Sequence, residues 1–193
     1  MELAQQQKLV ARLCIDREFR EEFFANPAQV AAHQGLTVAA EGLAELHHEQ
    51  LRQFARLLRT RRLGAVGAAL PLTRRALGNK FVERFKLYAL RPPPAGVQHP
   101  VADAIGFVDF LREHAREHQF ERVWSLSLAR YEAARLGARW LGHRLVVRWL
   151  PHRVGALLPQ LAKGSVGAGN FDRPTLAVWW RWSDDGKLHH WLV

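Results

Sequence analysis

The sequence predicts an α+β fold, an N-terminal helical bundle followed by a smaller helix-plus-antiparallel-sheet region that ends in a C-terminal hairpin. Three observations predict it. Apolar residues recur at helical spacing between residues 3 and 88 and again between 100 and 138. The period then shortens to that of strands at residues 144–150 and 173–193. Helices that precede strands, rather than alternating with them, point to segregated layers.

Residues 3–14 read as a helix with Leu3, Val10, Leu13 and Cys14 near one face. Asp16 is placed to cap the next turn, which carries Phe19, Phe23 and Phe24. Asn26-Pro27 reads as an N-cap followed by proline at the first helical position, and Gly35 as a C-terminal stop. Thr37 then caps a long pattern over 38–62, with a stripe of Leu43, Leu46, Gln50, Phe54, Leu57 and Leu58 expected to be buried. Arg52, Arg56, Arg59, Arg61 and Arg62 lie off that stripe as a basic flank. Gly64, Gly67 and Pro71 are expected to break the pattern, and Thr73 to cap a further helix in which Leu77, Phe81, Phe85 and Tyr88 recur.

Arg91-Pro92-Pro93-Pro94-Ala95-Gly96 reads as a stiff, extended linker. It divides the chain into a helical domain at 1–90, a Pro-rich linker at 91–99, and a second domain at 100–193 that holds helices and the C-terminal sheet. Val101, Ile105, Val108 and Leu111 mark the core side of one helix there, and Val123, Trp124, Leu128 and Tyr131 that of the next. Pro151 and Gly155 end the strand at 144–150; residues 156–172 carry no single pattern. The closing hairpin places Pro174 at a strand start and Ser183-Asp184-Asp185-Gly186 at a tight turn whose Asp-Gly supplies positive φ. Alternation sends Leu176, Val178, Trp180 and Trp182 to one face and Ala177, Trp179 and Arg181 to the other. One face is expected to bury against the protein and the other to offer aromatic and arginine surface.

The 28 Lys+Arg against 18 Asp+Glu leave a formal charge of +10. Residues 1–50 hold 4 basic and 8 acidic side chains, and residues 51–193 hold 24 and 10, so the head is acidic and the remainder strongly basic. That split suits an anionic partner for the remainder. The single cysteine, Cys14, excludes a disulfide framework and a multi-cysteine zinc site. With neither a signal-peptide pattern nor a long uncharged apolar run, the expected location is the cytoplasm, with no membrane partner.

No motif points to catalysis, so the chain is read as non-enzymatic, with no cofactor, metal or catalytic residue. His114 and His118 have a metal-ligand spacing, but Ala115 stands where a zinc protease helix needs glutamate, and Arg112 and Arg116 crowd the pair with positive charge. The adjacent pairs His47-His48 and His189-His190 point to opposite sides of their elements. Cys14 lacks a cationic neighbourhood in the sequence, Ser125 and Ser127 sit in a helical pattern, and Lys163-Gly164-Ser165 lacks the glycine spacing of a phosphate loop. A binding module remains. Nucleic acid, met by basic helices at residues 52–62 and 74–86, is the alternative. An extended peptide on the hairpin's sheet edge is the preferred reading, since tryptophan and arginine dominate interface hot spots.

Four stretches carry a resemblance: residues 13–37 (LCIDREFREEFFANPAQVAAHQGLT), residues 61–89 (RRLGAVGAALPLTRRALGNKFVERFKLYA), residues 129–138 (ARYEAARLGA) and residues 173–179 (RPTLAVW). The chain resembles the partner proteins, or fused C-terminal domains, that accompany multinuclear non-haem iron oxidative enzymes of ribosomal peptide modification. It is also distantly similar to a family labelled DNA-binding that occurs beside the same enzymes. The resemblance implies a chain, helical first and β-containing last, that binds the leader of a precursor peptide along a sheet edge. It also implies docking onto a separate, barrel-shaped iron enzyme as a heterodimer, with the iron ligands in that other chain. On this reading Leu176, Val178, Trp179, Trp180, Arg181, Trp182, His189 and Trp191 contact the peptide, Arg181 through its carboxylates. Arg148, Trp149 and Arg173 contact the partner enzyme.

Overall fold

The computed structural model describes residues 2–33, 48–94, 99–117, 123–164, 171–183 and 186–193. The chain divides into two compact units, Met1–Arg62 with Ala89–Pro92, and Leu63–Tyr88 with Pro93–Val193. The fold is the expected α+β arrangement, with the helical region first and a three-stranded antiparallel sheet near the C-terminus. Gly35, Thr37, Leu43 and Leu46 lie outside the described residues.

The first unit is built from α1 (Glu2–Ile15), α2 (Arg17–Ala25), α3 (Pro27–His33) and the start of α4 (His48–Ala69). Asp16 does cap α2, accepting from the Phe19 backbone N–H at 3.0 Å. Leu9, Leu13, Cys14, Phe19, Phe23, Val30, Leu51 and Ala55 form its core. The buried side of α4 here therefore passes through Leu51 and Ala55. Phe54 and Leu57, expected inside, are about half exposed. The buried stripe is thus displaced by one position from the one that side-chain size alone favours.

α4 also runs through Gly64 and Gly67 to Ala69. An internal glycine costs a helix only about 1 kcal/mol relative to alanine, and the burial of Val66 and Leu70 offsets that. The break falls at Pro71, where α5 (Pro71–Leu77) begins; Gly78, at φ 55°, then separates it from α6 (Asn79–Tyr88). The expected boundary at 91–99 needs correction for the same reason. α5 and α6 precede the prolines but bury their apolar faces against α7 (His99–Glu117), α8 (Trp124–Trp140) and α9 (Val154–Ala162), so they belong to the second unit. Phe81, Phe85 and Tyr88 of α6 meet Phe107 of α7 in edge-on or tilted ring pairs at 5.1–5.4 Å.

The second unit centres on α8. Leu128, Tyr131, Ala134 and Ala138 pack with α9 and with the inner face of the sheet, formed by β1 (Leu145–Leu150), β2 (Thr175–Trp180) and β3 (His189–Leu192) in the order β1-β2-β3. The registers pair Val147 with Val178 and Val178 with Trp191. Pairing stops at Trp180–His189, which leaves an eight-residue connection; within it the Gly186 N–H donates to the Ser183 carbonyl at 3.0 Å, the bond of a four-residue turn, while Asp184 and Asp185 lie outside the described residues. Glycine is needed there for space: a Cβ on Gly186 would sit 2.7 Å from Ser183 Oγ and 3.0 Å from its carbonyl oxygen.

Thr73 is not the cap of α5. It lies inside the helix, and Leu70 at the N-cap position offers no side-chain acceptor. The acceptor is Glu132 of α8, fully buried, which takes the Leu72 N–H at 3.0 Å, the Thr73 N–H at 2.7 Å and the Thr73 hydroxyl at 2.7 Å. Burial pushes its carboxyl above the ordinary carboxylate range, and the hydrogen bonds from Thr73 and Leu72 offset only part of that. Glu132→Leu strands three donors and is expected to cost roughly 2–4 kcal/mol in urea unfolding of the full chain. Because the folded carboxyl is raised, its contribution is complete below the ordinary carboxylate range and is lost as pH rises through the raised value. The stability of the wild type relative to Glu132→Gln should therefore fall as the pH of the denaturation series is raised.

Candidate docking face on the C-terminal sheet

The alternation of β2 is resolved by what it packs on. Thr175, Ala177 and Trp179 are buried toward α8 and α9, and Leu176, Val178 and Trp180 turn the other way. Antiparallel register then stacks side chains of like orientation across the sheet. Leu145, Val147 and Trp149 of β1 oppose Trp180, Val178 and Leu176; Trp191 and His189 of β3 oppose Val178 and Trp180. The outer face is thus apolar from edge to edge. Leu145, Val147, Trp149 and Trp191 remain between 45% and 63% exposed, and Trp182, just past β2, is 82% exposed. Such a contiguous apolar surface is what marks an interaction site on a protein of this size. His189 lies flat on Trp180, with ring centroids 5.4 Å apart and planes 19° from parallel.

The two rims of the sheet differ. Arg181 N–H donates to the Arg144 carbonyl, so residues 144, 146, 148 and 150 bond toward β2 while 145, 147 and 149 direct their backbone groups outward. Two of those outward carbonyls are already taken: Val147 O accepts from Arg148 Nη1 at 2.9 Å, and Trp149 O from Arg130 Nη2 at 3.2 Å. On the other rim, Leu176 and Val193 exchange both backbone bonds, which leaves the backbone groups of His190 and Leu192 directed away from β2. Among the described residues no strand lies beyond β3.

Two of the expected peptide contacts are corrected. Trp179 is 1% exposed, wedged between Tyr131 and His190 at centroid distances of 5.3 and 5.4 Å. A ring enclosed in the core cannot meet a ligand. Arg181 directs its Nη2 to the carbonyl oxygens of Ala138 and Arg139 in the last turn of α8. A helix C-terminus carries unsatisfied carbonyls and partial negative charge, so it captures the guanidinium that was assigned to ligand carboxylates. Leu176, Val178, Trp180, His189 and Trp191 do share the open face, and Trp182 is exposed beside it. Of the expected partner contacts, Trp149 joins the same face, whereas Arg148 lies at the β1 rim and Arg173 is exposed before β2. Leu145 and Val147 were not singled out from the sequence. Their alternation with Trp149 was the available signal, but only the pairing of β1 with β2 makes them part of the face.

One polar line crosses the second unit. Ser127 Oγ lies 2.8 Å from His152 Nδ1, and His152 Nε2 lies 4.0 Å from Asp172 Oδ1. Ser127 is 1% exposed, so its hydroxyl ties the turn after β1 to α8 and is closed to substrate. His114 stacks on Phe110, with ring centroids 5.5 Å apart and planes 15° from parallel, and His118 lies outside the described residues. Among the described residues, no three His, Cys, Asp or Glu side chains converge to hold a metal ion, and no helix is long and apolar enough to cross a membrane.

Burial lowers the His152 imidazole below its ordinary range, with Asp172 opposing; burial also lowers His190, reinforced by Arg135. A depressed histidine contributes stability above the ordinary imidazole range and loses it as pH falls through the depressed value. Unfolding midpoints should therefore drop on acidification from pH 7, and His152→Gln should flatten that dependence. Arg181→Gln, which strips the donor from the end of α8, should lower stability by about 1–2 kcal/mol at constant pH in the same denaturation assay.

The chain matches no family model, and no curated protein matches it.

Proposed function

We propose that this chain is a non-catalytic partner subunit that binds a ribosomally synthesised precursor peptide. It presents that peptide to a separate multinuclear non-haem iron oxidative enzyme, with which it forms a heterodimer in the cytoplasm. The observation that carries the reading is the combination of an apolar outer sheet face with the β3 rim, whose outward backbone groups meet no strand among the described residues. A peptide segment added beside β3 finds the backbone groups of His190 and Leu192 for ladder hydrogen bonds. Its alternate side chains fall against Trp191, His189, Trp180 and Val178. Specificity then comes from the aromatic side chains and affinity from the main chain.

The β1 rim suits the enzyme instead. Two of its outward carbonyls, those of Val147 and Trp149, are occupied by Arg148 and Arg130, so strand addition there is disfavoured. Trp149, Leu145 and Val147 supply apolar area, and Arg148 and Arg173 supply positive charge for an acidic rim on the enzyme. The resemblance over residues 13–37, 61–89, 129–138 and 173–179 supplies the identity of the guest and of the enzyme; the sheet supplies only the kind of surface.

Trp180→Ala and Trp191→Ala should each weaken peptide binding roughly tenfold or more by calorimetry, as expected for aromatic anchors on the open face, with an unchanged far-ultraviolet circular dichroism spectrum. The purified chain alone should neither turn over the peptide nor hold stoichiometric iron, and it should co-purify with an iron-containing enzyme from its host. Turnover by the isolated chain would overturn the proposal. Unchanged affinity in both tryptophan variants would remove the sheet face from it.

A further inference from the structure

The first unit holds a concavity of about 340 Å³ lined by Arg20, Glu49, Arg52, Gln53, Arg56 and Arg59. Four guanidinium groups face it against one carboxylate. Three of them stand at helical spacing along one side of α4, and the fourth comes from α2. Arg52 lies 3.8 Å from Glu49, with the side chains 52% and 67% exposed, so that pairing is weak. Among the described residues the guanidinium groups of Arg56 and Arg59 have no acidic partner.

Arg20 is the unusual member. It is 4% exposed, its Nη1 donates to the Leu13 carbonyl at 2.7 Å, and its Nε has no hydrogen-bond partner among the described residues. Burying a guanidinium is costly unless an opposite charge accompanies it. Here burial, followed by repulsion from Arg59, pulls its pKa below the arginine range; Arg52 adds to the repulsion, and Cys14 and Glu21 oppose it only in part. Charges arranged to repel one another around an open concavity are relieved by a bound anion.

We propose that this concavity is a binding site for a compact polyanion of the phosphate class, held by Arg20, Arg52, Arg56 and Arg59. Guanidinium forks match phosphate oxygens in pairs, which makes arginine the suitable side chain for this chemistry. The volume admits a pyrophosphate or a small phosphorylated molecule and exceeds that of a lone phosphate. Nucleic acid is the less suitable ligand. A backbone-tracking surface spreads its cations along a strip, whereas these converge on one concavity with the innermost arginine buried. The site's residues all belong to the first unit, and those of the sheet face to the second.

The test uses the full chain, titrated calorimetrically with sodium pyrophosphate, inorganic phosphate and a 20-base-pair DNA duplex at two salt concentrations. Arg56→Gln/Arg59→Gln is the variant of choice, because Arg20 and Arg52 already have contacts within the unit. The expected result is saturable 1:1 pyrophosphate binding, tighter than phosphate, and weakened at least tenfold in the variant with an unchanged far-ultraviolet circular dichroism spectrum. The variant should keep the peptide affinity of the wild type, so failure here and failure of the peptide reading are separable. Absence of pyrophosphate binding, or binding equal in the variant, overturns the site. Duplex binding with a steep salt dependence, lost in the variant and not competed by pyrophosphate, overturns the compact ligand in favour of nucleic acid.

Discussion

The buried carboxylate of Glu132 organises the second unit. α5 is seven residues long, starts on a proline and has no side-chain acceptor at its own N-cap, so its first N–H groups need an acceptor from elsewhere. Glu132 supplies it from α8, nearly sixty residues away in sequence. The bond set fixes both the position and the direction of α5 against α8. Arg75, in the last turn of α5, then reaches the Leu161 carbonyl in α9, and α9 in turn underlies the sheet. A charge placed in the core is stabilising only while its donors hold. That makes the Glu132 site a strong constraint on which packing the chain can adopt and a weak source of net stability.

The same satisfaction of backbone groups shapes the outer surface. Arg181 serves the carbonyl end of α8, and Arg148 and Arg130 serve the rim of β1. Arginines that read as ligand-binding residues are thereby drawn into the unit's own hydrogen bonding, and of the two edge strands β3 keeps its outward backbone groups without a side-chain partner among the described residues. The tryptophans divide in a similar way. Trp179 fills the layer between Tyr131 and His190, while Trp180 and Trp191 stay on the outside. In the first unit the opposite holds: four arginines face one concavity with a single carboxylate among them.

Much of the architecture was legible from local chemistry. Asp16 and the apolar spacing after it place α2 correctly, and alternation in residues 175–180 separates Leu176, Val178 and Trp180 from Ala177 and Trp179 before any packing is known. Other positions misled because a local signal met a tertiary one. Gly64 and Gly67 read as breakers, but the burial of Val66 and Leu70 outweighs a modest propensity cost. Thr73 read as a cap because it is a good one, yet the acceptor came from a helix remote in sequence. Phe54 read as core by size, yet it is about half exposed and Ala55 is buried in its place.

Periodicity and capping residues act within a few positions of the chain, so they were sufficient for the helix-then-strand order and for the two faces of the C-terminal strands. They carry no information about which face meets the core, which rim stays unpaired, or which of several arginines keeps its charge available. Those outcomes depend on partners dozens of residues distant: Glu132 for Thr73, Ala138 for Arg181, Val147 for Val178. Burial and hydrogen-bond satisfaction are properties of the assembled chain, and only assembly turns Leu145, Val147 and Trp149 into one surface with Trp180 and Trp191.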